Sequence, residues 1–232
     1  MAAPAGAPSI RVVAGEVETR AATTRLVIPT GAQPSWPPFL RAGETLADRV
    51  RQFPPHAHER QEVLTYVSEG FAVYQLENRP AEHLRGGSAR LLTAGSHCSH
   101  RISPSRGGPI RWFSLVLAAP GAGAGGPKLQ ASELPPTPLY EENALVRHLV
   151  GPAAPMVSGA GLECREITFV EPSTSFARVG HDRRALVYVL AGTGTVGSQP
   201  IEGGEAALVE GTAGVAVSGT EGLRLIFATA PR

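Results

Sequence analysis

His56 and His58 stand two residues apart in the run Phe53-Pro54-Pro55-His56-Ala57-His58, immediately ahead of an apolar stretch that reads as a strand. On an extended chain, side chains two apart project to the same face, so the two imidazoles can converge on one point. Neutral imidazole is the commonest transition-metal ligand, and a His-x-His pair supplies two nitrogens with little rearrangement. Taken alone, such a pair reads more readily as two exposed loop histidines. A second cluster, Thr93-Ala94-Gly95-Ser96-His97-Cys98-Ser99-His100, lies one hairpin further on. From an adjacent strand, His100 can complete a three-nitrogen facial set, leaving coordination positions for water, dioxygen or substrate. Four of the seven histidines fall in these two stretches. His97, three residues from His100, points to the opposite face of a regular strand. Cys98 shares the parity of His100 and reads as a small buried apolar side chain before it reads as a thiolate ligand.

Strands must position these groups. Apolar and β-branched runs at 10–13, 25–28, 63–67, 89–92, 111–117, 164–170, 185–190, 206–209 and 223–227 read as strands. Asn78-Arg79-Pro80, Arg85-Gly86-Gly87 and Glu202-Gly203-Gly204 read as the turns between them. The class is all-β, a barrel or sandwich with few helices. The 27 glycines and 21 prolines, spread along 232 residues of which 42% are hydrophobic, agree with many short elements around a packed core.

The two halves repeat one another. Leu64-x-Tyr66-Val67-x-x-Gly70 returns as Leu186-x-Tyr188-Val189-x-x-Gly192, and Gly86-Gly87 ahead of Ala89 returns as Gly203-Gly204 ahead of Ala206. Between the copies lies a stretch rich in Gly, Ala and Pro, which reads as a linker. The expected partition is a first domain over 1–118, a linker over 119–138 and a second domain over 139–232. Aligned on the repeat, the places of His56 and His58 fall to Arg178 and Gly180, and that of His100 to Ala216-Val217. His181 stands alone and out of register, so metal chemistry is confined to the first half.

The formal net charge is +1 with acids and bases interspersed, which offers neither a nucleic-acid face nor a polybasic membrane patch. Two cysteines, Cys98 and Cys164, build no disulfide framework. With no basic-then-apolar leader and no apolar run of about 18 residues, a cytoplasmic protein is expected. Oligomeric state is not legible.

The histidine motifs, together with Glu62-Val63-Leu64-Thr65-Tyr66-Val67, Glu69-Gly70, the Arg85-Gly86-Gly87 turn and Thr93-Ala94-Gly95, resemble the pirin family over roughly residues 20–230. The resemblance implies two cupin barrels (double-stranded β-helix, or jelly-roll) in one chain. It also implies a site for one divalent transition metal in the first barrel, with His56, His58 and His100 as ligands. Iron(II) is the metal it favours, while three histidines also suit Zn, Ni, Cu or Mn. The family's fourth ligand is a glutamate where this chain has Ile102. That loss leaves the full dipositive charge uncompensated by a hard oxygen donor and lowers the expected affinity. Glu62 shares strand parity with the histidines and is the candidate for a replacement ligand or, with Glu59 a poorer choice, for a catalytic base.

Three functions follow from this reading. The first is a quercetinase-type dioxygenase acting on a small aromatic phenol or flavonol, with Phe53, Trp112 and Phe113 as candidate pocket walls. The second is a metal-dependent regulatory protein that engages a protein partner and makes no direct contact with nucleic acid. The third is a degenerate cupin without metal.

Overall fold

The computed structural model describes residues 9–20, 22–48, 53–105, 108–132, 137–141 and 143–232. They form strands throughout, with a single 3-10 turn at Pro120–Ala124, so the expected all-β class holds. The strands fall into two units, each a seven-stranded sheet and a four-stranded sheet.

Strand order makes the duplication explicit. In the N-terminal unit the large sheet runs Lys128–Ala131, Ala89–Thr93, Gln61–Glu69, Ile110–Ala118, Phe39–Ala47, Thr23–Ile28, Glu16–Thr19. In the C-terminal unit the corresponding order is Ser9–Val13, Ala206–Glu210, Arg183–Ala191, Arg224–Pro231, Glu163–Thr168, Ala144–Val150, Leu139–Glu141. The small sheets correspond too. His56–His58, Cys98–Pro104, Phe71–Leu76 and Glu82–Arg85 match Ser173–Arg178, Gly214–Gly219, Thr193–Val196 and Gln199–Glu202.

The repeated motif occupies the same place in both units. Gln61–Glu69 and Arg183–Ala191 are each the third strand of the large sheet. Each ends on a glycine, Gly70 or Gly192, with φ of 81° or 86°. A Cβ there would also strike backbone, 2.2 Å from the Pro109 carbonyl oxygen or 2.8 Å from the Leu223 Cα. Glycine is required at both turns on conformation and on space.

Each barrel closes on its own core. Val63, Val67, Tyr74, Leu92, Cys98, Ile102 and Trp112 belong to the N-terminal core; Ile167, Val187, Val189, Val217, Leu225 and Phe227 belong to the C-terminal one. At about 25 cal/mol per Å² of buried apolar surface, such cores are the main stabilising contribution to each unit.

The structure departs from the expected partition at three places. Ser9–Val13, expected in the first domain, pairs antiparallel with Ala206–Glu210 of the C-terminal barrel. Lys128–Ala131, expected in the linker, pairs with Ala89–Thr93 and is an edge strand of the N-terminal barrel. Both segments cover the same edge of their sheets, where unpaired backbone groups would otherwise stand exposed. Low apolar content hid the second of them, because an edge strand takes its stability from backbone pairing more than from side-chain burial. Pro155–Ala160 also groups with the N-terminal unit, whereas the expected partition placed it in the second domain. Residues 133–136 of the expected linker lie outside the described residues.

Candidate metal centre

His56 and His58 occupy the short strand His56–His58, and its antiparallel partner is Cys98–Pro104. The register sets His100 opposite His56 and Cys98 opposite His58. Cys98 and Ile102 flank His100 at two-residue spacing and belong to the barrel core, so alternation turns His100 inward with them. The three rings gather at centroid separations of 4.4 Å (His56–His100), 5.0 Å (His56–His58) and 5.0 Å (His58–His100). One nitrogen from each lies within 4.8 Å of the others. Among the described residues this is the one group of His, Cys, Asp or Glu gathered so closely.

The cluster suits a cation. Burial, then the neighbouring histidines, push the His100 imidazole down to about 3. Burial, His58 and Arg41 push His56 down to about 4. Burial also lowers His58, and Arg41 adds to it, against the opposing effect of the Gln61 hydrogen bond. All three are therefore neutral near pH 7, the form that ligates metal. His58 Nδ1 lies 2.8 Å from Gln61 Oε1, which makes Nδ1 the donor and leaves Nε2 with its lone pair toward the cluster. His58 Nε2 and His100 Nε2 face each other at 3.1 Å, while the buried His100 Nδ1 has no hydrogen-bond partner. Donor type and convergence fit a divalent transition metal.

The other sequence candidates lie elsewhere. His97 is exposed, with Nδ1 3.5 Å from Glu59 Oε1, and faces away from the cluster as its spacing predicts. Cys98 is fully buried in the core, where burial raises its thiol to about 11; it is a packing residue. Phe53 and Trp112 form an edge-to-face pair at 5.9 Å against the N-terminal core. Phe113 alternates to the opposite face from Trp112, so it does not join them in one wall. His181 is exposed and Val217 is buried in the C-terminal core, in keeping with a second barrel that lacks the histidine set.

Glu62 lies apart from the histidines. Its carboxylate accepts hydrogen bonds from Thr93 Oγ1 at 3.1 Å, Gly159 N at 2.9 Å, Ala160 N at 3.4 Å and Ser158 Oγ. Only 1% of the residue is exposed, and it stands outside the histidine group. It alternates with the core residues Val63 and Val67 and so faces away from the barrel interior. The expected shared parity fails because the chain turns at Glu59 and Arg60, where Arg60 adopts φ 49°. That turn breaks the alternation between His58 and Glu62. Glu62 fastens the 155–160 segment, and its hydrogen bonds run to that segment and Thr93, not to the histidines.

Three residues that motif spacing did not reveal also bear on the site. Gln61 orients His58. Arg41, on Phe39–Ala47, acts electrostatically on both His56 and His58. Tyr74 sets its ring 5.2 Å from His100, and burial raises its phenol well above the usual range. Each lies on another strand or across a turn, where no local pattern ties it to the histidines.

Two barrels of one topology, the first gathering three inward histidines, define a bicupin with a candidate metal centre in its N-terminal half. Residues 30–115 match the pirin family model. It is 26% identical over 200 residues to a quercetin 2,3-dioxygenase homologue from Vibrio cholerae, covering 76% of this chain and 69% of that protein. Solved crystal structures share the fold, among them the following two. A Geobacillus kaustophilus protein has a TM-score of 0.85 and 21% identity, covering 97% of this chain and 96% of its own. An Escherichia coli pirin in complex with nickel(II) has a TM-score of 0.82 and 13% identity, covering 96% and 99%.

Proposed function

We propose that this protein is a metal-dependent dioxygenase of the quercetinase type, holding one divalent transition metal on His56, His58 and His100 and acting on a flat phenol or flavonol. The observation that carries this reading is the convergence of three neutral imidazoles inside the barrel. Similarity to the Vibrio cholerae protein supports the substrate class. When bound, the metal would supply a Lewis acid and a redox partner for dioxygen. The protein's own part is positional and electrostatic. Gln61 fixes the His58 tautomer, the Phe53–Trp112 pair offers flat apolar surface, and Arg41 favours a phenolate beside His56 over the neutral phenol.

A metal-dependent regulatory role is the second reading, and Ile102 favours it. The pirin resemblance puts a carboxylate ligand at this place, but here an apolar side chain 5% exposed joins the core.

Metal analysis of untagged protein, followed by oxygen uptake with flavonols and catechols after anaerobic loading with Fe(II), Ni, Cu or Mn, separates these readings. Oxygen consumption dependent on both metal and flavonol is expected. Metal binding without turnover favours the regulatory role. Less than about a tenth of an equivalent of any transition metal removes both and leaves a metal-free cupin.

A further inference from the structure

The C-terminal barrel holds a cleft of about 310 Å³ lined by His148, Val150, Arg165, Arg178 and Phe227 among others. Its size sits at the lower end of small-molecule sites and suits a single ring. Every lining residue belongs to the C-terminal unit. Arg178 ends the strand Ser173–Arg178, the counterpart of His56–His58 in the other barrel, and the sequence repeat aligns Arg178 with His56. The second barrel lacks the histidines, and Arg178 stands exposed at the end of this strand, paired with Gly214.

The charges of the cleft are unevenly paired. Glu163 is engaged by Arg183 at 3.5 Å, and His148 Nε2 lies 3.0 Å from Glu141 Oε1. Arg165 and Arg178 make no ion pair with the described residues. Arg165 lies over the Phe227 ring at 5.2 Å, opposite it in strand register. A guanidinium held against an aromatic face is oriented yet keeps N–H donors for a planar, bidentate anion. Val150 and Phe227 are buried at 3% exposure each and add an apolar wall. Two uncompensated guanidiniums beside a flat apolar surface match a carboxylate on an aromatic ring.

We propose that the C-terminal barrel carries a second ligand site, in which Arg165 and Arg178 bind the carboxylate of a small aromatic acid against the Phe227 wall. The site is independent of the metal centre.

Calorimetric and saturation-transfer NMR titrations of the full chain, stripped of metal by a chelator, test this with benzoate, benzamide and inorganic phosphate as probes. Saturable benzoate binding is expected, with benzamide and phosphate each at least about tenfold weaker. R165Q and R178Q should each weaken benzoate at least about tenfold, while R85Q, which removes an exposed arginine of the N-terminal unit, should not. R178Q, at an exposed strand end, decides the matter if R165Q fails to fold. The proposal is overturned if benzoate shows no saturation up to about 10 mM, if benzamide or phosphate binds as tightly, or if both cleft variants bind normally. Loss of binding in R41Q with retention in R178Q would move the ligand to the first barrel and equally overturn it.

Discussion

His58 Nε2 and His100 Nε2 face one another 3.1 Å apart across two paired strands, closer than two lone pairs would settle without a proton or a cation between them. With His58 Nδ1 the donor to Gln61, an N–H on His100 Nε2 suits that distance. His56, His58 and His100 are the residues that would hold a divalent metal here, each as a neutral imidazole.

Removing either partner should therefore abolish tight metal binding. We expect His100→Gln to weaken Zn or Ni binding at least about 100-fold. The wild-type protein should gain about 2.7 kcal/mol of stability at metal concentrations one hundred times its Kd. Competition with a chromophoric chelator and thermal melts with and without metal read both effects. An unchanged affinity would show that the metal sits elsewhere.

Gln61 should matter through His58 alone. Gln61→Ala removes the acceptor that holds His58 Nδ1, and metal affinity should fall about 10- to 100-fold with little change in the melting of the metal-free protein. Gln61→Glu, which restores an acceptor, should recover it.

Glu62 should behave as a structural residue. Glu62→Ala leaves donors from Thr93, Ser158, Gly159 and Ala160 without their shared acceptor and should cost about 3 kcal/mol by denaturant unfolding. Metal affinity should stay within about twofold of the wild type. A variant of full stability that had lost activity would restore the catalytic reading of this residue.

The metal-free protein should lose stability as it is acidified. His56 and His100 are lowered from 6.5 to about 4 and about 3 when folded. Between pH 6.5 and those values the unfolded chain therefore binds protons that the folded chain refuses. Stability is greatest above pH 6.5 and falls as pH drops toward 4, by up to about 1.4 kcal/mol per pH unit for each proton. His100→Gln should flatten this dependence in urea titrations at stepped pH.

The histidine triad was legible because a two-residue spacing on one strand and a second cluster one hairpin on are local patterns that antiparallel pairing brings together. The repeated Leu-x-Tyr-Val-x-x-Gly was legible for a similar reason, since both glycines serve the same turn. Parity arguments failed where the chain stopped being regular. The turn at Arg60 rotated Glu62 to the other face, and nothing in the residue types at 59–61 announces it. Partners such as Arg41 and Tyr74 come from strands distant in sequence, so only the fold supplies them. The edge strands Ser9–Val13 and Lys128–Ala131 escaped correct placement because backbone pairing carries no sequence label.

The pairing of Ser9–Val13 with Ala206–Glu210 also has a consequence for synthesis. The first described strand leaves the ribosome with no neighbour and must wait until Ala206–Glu210 has been made. Its closure is the most sequence-distant strand pairing among the described residues and belongs among the late, slow events of folding. A gene divided at the glycine-rich middle would yield neither barrel whole, since the C-terminal half would leave its edge strand behind on the other piece.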